Sequence, residues 1–161
     1  MYKWIALTLI SSSLMASPVS HLNKVGEGEM HYLFWTVYSA ELYRSANSTA
    51  DAEQALRITY FKSISQRDLI DATLDQWHHL GYEPAKIAQW IRPLTQIWPS
   101  VEPGDKLTFV SSNSGESQFY FDGKPIGAIQ DPTFSAAFLD IWLSERTTEP
   151  KLRKQLLGLT R

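Results

Sequence analysis

Hydrophobic positions along the chain follow two periods in turn, and the changes of period divide it into elements. Residues 29–43, EMHYLFWTVYSAELY, are rich in aromatic and β-branched side chains and predict one long bent strand or two short ones, with Glu41 facing away from Tyr38, Ala40 and Leu42. The small, polar stretch 44–54 predicts a surface loop, and ALRITYFK (55–62) a further strand. Helical spacing then takes over. Ser65 is placed to cap a helix with Asp68 three residues on, Ile70, Leu74 and Trp77 share one face, and Gly81 supplies the stop. Pro84 opens a second helix carrying Ile87, Trp90, Ile91 and Leu94. Pro93 is expected to kink or restart it, because the ring removes an amide donor and crowds the preceding turn, which puts Ile97 and Trp98 in a second, short turn.

Period two returns at residue 105. DKLTFVSS, SQFYFDG and KPIGAIQ are separated by Asn113-Ser114-Gly115 and by Asp122-Gly123, and the second of these suits a type I′ turn, in which both central residues need positive φ. A three-stranded antiparallel meander is the expected result. QDPTFSAAFLDIWLSE (130–145) follows as a helix, with Asp131 as cap, Pro132 in the first position, and Phe134, Phe138, Ile141 and Trp142 on one face. TTEPKLRKQLLG (147–158) adds a last helix from Pro150, with Leu152, Leu156 and Leu157 as its apolar side and Gly158 as its stop. The sum is an α+β architecture, an antiparallel sheet with helices packed on one face.

The chain has 161 residues, 43% of them hydrophobic and 12% aromatic, enough for one domain with a substantial core. Its net charge is −2, with acidic and basic residues interspersed, so no basic stripe exists for a nucleic acid. The opening MYKWIALTLISSSLMASPVS has one lysine, an apolar run from Trp4 to Ile10, and small residues from Ser11, the layout of a secretory signal peptide. We place that peptide at 1–16, with a cut as late as residue 20, leaving 17–161 as a single domain. The run is too short to span a bilayer and no later segment is long enough, so no transmembrane segment is expected in the mature chain. Cysteine is absent, which excludes disulfides, thiolate chemistry, cysteine-linked lipid and cysteine-held metals. Export without disulfides fits a bacterial periplasm; the Asn47-Ser48-Thr49 sequon matters only in a eukaryotic secretory pathway.

Candidate chemistry is sparse. His78 and His79 are adjacent on a helix and diverge, while His21 and His31 lack a partner at metal-ligand spacing, so neither metal nor cofactor is expected. Glu27 and Glu29 form a carboxylate pair that reads as solvated. There is no phosphate-binding loop, nucleophile elbow or zinc-protease helix.

Four segments carry a resemblance: VGEGEMHYLFWTVYSAELY (25–43), IWPSVEPGD (97–105), GKPIGAIQDPTFSAAFLDIWLSE (123–145) and LRKQLLG (152–158). Together they resemble the bacterial chalcone isomerase-like family of exported proteins. The resemblance implies a large antiparallel sheet with a cleft beneath a helical layer. It does not carry the activity across. True chalcone isomerases use an arginine, a threonine, and a tyrosine, lysine and asparagine about the first helix. Those positions fall here on Glu29 or Met30, on Tyr38, and on Ser65, Asp68 and Ala72. A phenolate substrate needs positive charge and hydroxyl donors, so flavonoid cyclisation is not expected. Relatives with this fold bind fatty acids, an arginine and a tyrosine meeting the carboxylate. The resemblance therefore implies a non-catalytic periplasmic protein holding a fatty acid or other apolar molecule, with Glu29, Tyr38, Tyr60, Phe134, Phe138 and Trp142 as candidate binding residues. For each aromatic of this helix taken singly, core packing is the stronger explanation, because helical spacing is what packing requires. Two alternatives remain: an interaction module for an envelope protein, and an isomerase or lyase centred on Tyr38, Tyr60 and Glu29.

Overall fold

The aromatic stretch after residue 29 folds as the tip of a hairpin. In the computed structural model, which describes residues 16–46, 53–112 and 114–160, β1 (Asn23–Tyr32) and β2 (Trp35–Arg44) are joined by Leu33 and Phe34 alone. The expected signal peptide up to residue 15, the Asn47 sequon and Asn113 lie outside the described residues. β1 starts earlier than the aromatic pattern indicates because its first half contains Gly26 and Gly28, which weaken the strand signal. Their role is contact: a Cβ on Gly26 would lie 2.1 Å from the Gln155 carbonyl oxygen, and one on Gly28 2.8 Å from Leu152 Cδ1. Only glycine lets the last helix, α4 (Pro150–Leu156), come this close to the strand.

β3 (Gln54–Tyr60) leads into α1 (Gln66–Leu80) and α2 (Pro84–Ile97), then β4 (Lys106–Ser111), β5 (Ser117–Phe121), β6 (Lys124–Ile129) and α3 (Pro132–Leu143) before α4. The six strands form one sheet in sequence order, each antiparallel to its neighbour. This is the α+β architecture that the periods predict. Ser65 accepts from the Asp68 amide at 3.1 Å, Gly81 closes α1 in the left-handed region, and Asp122 and Gly123 have φ of 49° and 82°, as the hairpin requires.

The expected break at Pro93 is corrected: α2 runs through it to Ile97, with Trp98 as its C-cap. Proline removes only the N–H that would reach the Gln89 carbonyl. Gln89 is exposed, so water can meet that carbonyl, and buried Trp90 and Leu94 hold the helix on either side.

Strand register aligns the core in rows. Ala40, Ile58, Leu107 and Phe121 are successive partners across the sheet, and so are Leu42, Leu56, Phe109 and Phe119. Over them lie Trp77, Trp90, Phe134 and Phe138, and the Trp77 indole donates to the Ala137 carbonyl at 2.9 Å, tying α1 to α3. The opposite face is not left wholly to solvent. Val19 and Leu22, ahead of β1, pack there on Tyr43, Ala55 and Val110, beside an Arg57–Glu41 ion pair of 2.6 Å.

The close approach of α4 to β1 is directly testable. Gly26→Ala should lower unfolding free energy by about 1–3 kcal/mol, the usual cost of overpacking, in urea denaturation. A change within error would mean that α4 is not seated on the strand.

Candidate functional site

At the hairpin end of the sheet the inner row does not meet the helices. Met30, Tyr38, Ile58, Tyr60 and Leu107 form the floor of a cavity of about 200 Å³. Leu69, Thr73, Trp98, Phe138, Ile141 and Trp142 close it from above. Polar side chains lie at the mouth: Asp68 and Gln76 on α1, and Thr148 and Glu149 between α3 and α4.

Two tyrosines supply the polar chemistry inside. Their rings meet edge to face, with centroids 6.1 Å apart, because Tyr38 and Tyr60 are direct partners across β2 and β3. The Tyr38 hydroxyl accepts from the Trp142 indole N–H at 2.9 Å and keeps its own proton to donate. Burial pushes Tyr38 up to about 12, against the Trp142 hydrogen bond and with the Glu149 charge. Burial, reinforced by Tyr38, raises Tyr60 further. Near neutral pH both are donors and neither is a base. Among the described residues no hydrogen bond reaches the Tyr60 hydroxyl, while Thr73 spends its own on the Leu69 carbonyl at 2.8 Å. The Trp98 indole N–H is buried and without an acceptor among the described residues.

Tyr38, Tyr60, Phe138 and Trp142 therefore share one cavity, and two other candidates do not join them. Phe134 is fully buried in the core, stacked on Phe138 at 5.6 Å and 10° and packed against Trp77, Phe109 and Phe119. Glu29 lies on the other face of the sheet, half exposed, 3.3 Å from His31 Nε2. Successive strand residues point to opposite faces, so its neighbour Met30 is the one that meets the cavity. Glu27 pairs with Lys24 at 2.8 Å in solvent.

Of the first-helix positions, Ser65 caps α1, whereas Asp68 and Ala72 line the cavity. Met30 and Asp68 thus line the space at the positions that the resemblance gives to the arginine and the lysine, Ala72 lines it at that of the asparagine, and among the described residues no Arg, Lys or His lines it. In the sequence Trp98 reads only as part of a short turn after Pro93. Thr148 and Glu149 come from a connecting segment without any motif. Among the described residues no group of three His, Asp or Glu is placed to hold a metal ion.

Residues 19–158 match the family described as chalcone isomerase-like. An uncharacterised protein of Haemophilus influenzae is 24% identical over 148 residues, which are 91% of this chain and 73% of that protein. Among solved structures, the crystal structure of a fatty-acid binding protein of Arabidopsis thaliana is similar with a TM-score of 0.72 at 13% identity, over 89% of this chain and 90% of that one. That likeness is one of fold.

Tyr38→Phe should lower stability at neutral pH by about 1–3 kcal/mol, because the buried Trp142 donor loses its acceptor. The deficit should narrow in alkali. The unfolded chain releases the Tyr38 proton near 10 and the folded chain near 12, so the folded state holds more protons between these values, and wild-type stability falls as pH rises through the window. Denaturant midpoints of both proteins from pH 7 to 12 test this; parallel curves would refute the burial of an un-ionised Tyr38.

Proposed function

The chain belongs to the chalcone isomerase-like family, and we propose that it is a non-catalytic binding protein holding the apolar tail of a fatty-acid-like or other single-chain amphiphile between sheet and helices. The observation that carries this reading is an apolar cavity with tyrosine donors and, among the described residues, no cation in its lining. Ring closure of a phenolate would need positive charge to lower the phenol's pKa and stabilise the enolate. Tyrosines raised by burial cannot serve as bases near neutral pH, and Glu29 is on the far face of the sheet.

The cavity's size and charge narrow the ligand. About 200 Å³ is below the roughly 300–1,000 Å³ of sites for drug-sized molecules, which suits a short length of acyl chain better than a fused polycycle. Asp68 and Glu149 at the mouth disfavour a free carboxylate and favour an uncharged or cationic head. An acceptor at the Trp98 wall would relieve a buried donor that otherwise costs about 1–3 kcal/mol. The fatty-acid binding named for the Arabidopsis protein, whose fold this chain shares, supports the ligand class.

Calorimetric titration with decanoate, decanol and decylamine at matched concentrations tests the reading. Decanol and decylamine should bind more tightly than decanoate, and Ala72→Trp, which places bulk at the cavity from an exposed helix position, should weaken all three at least about tenfold. No heat from any ligand, or an Ala72→Trp variant equal to wild type, would sink it.

We also infer export to a periplasm. The pattern of residues 1–16 and the absence of cysteine support this, and among the described residues no helix is long and apolar enough to cross a membrane. Val19, 4% exposed, is seated on the outer sheet face, which favours a cut after Ala16 over one at residue 20 that would discard it. N-terminal sequencing of the protein from a periplasmic fraction should begin at Ser17; an intact Met1 in the cytoplasmic fraction would refute export.

A further inference from the structure

At the β1–β2 turn, four consecutive large apolar residues stand in solvent: Tyr32 is 64% exposed, Leu33 77%, Phe34 100% and Trp35 60%. The other exposed large apolar side chains among the described residues are Phe61 and Leu159. Four together are an interaction site until shown otherwise. Folding does not account for them. Leu33 has φ of 55°, the left-handed region that favours glycine, so the turn keeps a strained leucine where glycine would relax it.

The side chains are graded by depth. Leu33 and Phe34, at the apex, carry no polar atom. One residue back along each strand, Tyr32 and Trp35 pair across the hairpin, and each has a large ring with a single polar group. Behind these come His31, hydrogen-bonded to Thr36 at 3.1 Å, and the Lys62 ammonium, 4.0 Å from the Trp35 ring centroid. Strands rise about 3.4 Å per residue, so the graded zone is roughly 7 Å deep. This order, apolar tip, amphipathic rings, then cation, matches the outer layer of a lipid bilayer, where interfacial segments bury about 5–10 Å and Trp and Tyr sit at headgroup level. A protein pocket would require no such grading.

The tip is also continuous with the cavity. Val37, Tyr38 and Met30, on the same two strands, line it, and Phe61, 43% exposed, donates its amide to the Val37 carbonyl at 2.9 Å. We propose that the Tyr32–Trp35 turn is a membrane-docking element that inserts into the interface of a lipid bilayer, with the Lys62 ammonium toward anionic headgroups, and so brings the cavity mouth to its source of amphiphile. Delivery to the cavity rests on the binding function proposed above; docking does not.

The test is flotation of the full protein with vesicles of phosphatidylcholine containing one-fifth phosphatidylglycerol, in 0.1 M salt. Wild type should float. Leu33→Gly with Phe34→Ser, at exposed positions where the glycine relaxes the turn, should lower the partition coefficient at least about tenfold without lowering the melting temperature. Calorimetric decanol binding should be the same for both. Flotation of wild type with no decanol binding by either would uphold docking while removing the cavity function. Failure of wild type to float, or equal flotation of the double variant, would overturn the proposal, as would loss of a protein partner by the double variant when neither protein floats.

Discussion

Phe134 and Phe138, stacked one turn apart on α3, fix the height of the helical layer above the sheet. Phe138 meets Phe109 at 4.8 Å and Phe119 at 5.4 Å below, and Trp98 at 5.9 Å and Trp142 at 5.1 Å beside it. Such pairs contribute about 0.5–1.5 kcal/mol each beyond their area, and a close-packed set leaves α3 little freedom to slide. The position of Trp142 follows, since it lies one turn beyond Phe138. Its indole is then held where it can donate to Tyr38, and the cavity begins where this packed set of rings ends. The site is thus bounded by the core, and its shape is as rigid as the core is.

Much of this was legible in the sequence because each element carries its own punctuation. Ser65 and Gly81, Asp131 and Pro132, and Asp122 with Gly123 state their local geometry whatever lies around them. What was not legible depends on partners far along the chain. Gly26 and Gly28 weaken a strand until α4 is known to rest on them, and Pro93 breaks a helix in isolation but not one anchored by Trp90 and Leu94. The candidate site divides in the same way. Tyr38, Tyr60, Phe138 and Trp142, which line one cavity, stand out in the sequence because aromatic and hydroxyl chemistry is visible residue by residue. Glu29 was misplaced because a shift of one position on a strand exchanges faces, and only register separates it from Met30. Asp68 and Ala72 emerge from an alignment to an enzyme whose residues they lack, while Thr148 and Glu149 have no local signal.

The two faces of the sheet handle charge in opposite ways. On the outer face Arg57 donates to Glu41 at 2.6 Å and to the Tyr43 hydroxyl at 2.7 Å, and Lys24 reaches Glu41 at 3.3 Å. Burial opposes ionisation of Glu41, yet the hydrogen bond and charge of Arg57, with Lys24 and Tyr43, outweigh it and hold the carboxyl below its usual range. On the inner face, only three positions earlier on the same strand, no cation among the described residues acts on Tyr38 and burial prevails. Strand periodicity alone separates these environments. A space whose tyrosines stay protonated and which, among the described residues, carries only carboxylates at its rim is suited to hold an apolar chain, not to stabilise an anion formed within it.

The exposed edges sharpen the contrast at the hairpin. β1 carries two irregularities of register and is covered by α4, and β6 carries Pro125 and a register shift of its own. These devices discourage edge-to-edge association between copies of a sheet. A chain that protects both edges in this way and still leaves leucine, phenylalanine and two amphipathic rings together at one tip is not indifferent to exposed apolar surface. The tip is confined to one turn and extends from the strands that floor the cavity. Met30, Val37 and Tyr38 of the same hairpin line the cavity, so the exposed tip and part of the cavity wall belong to one two-stranded unit.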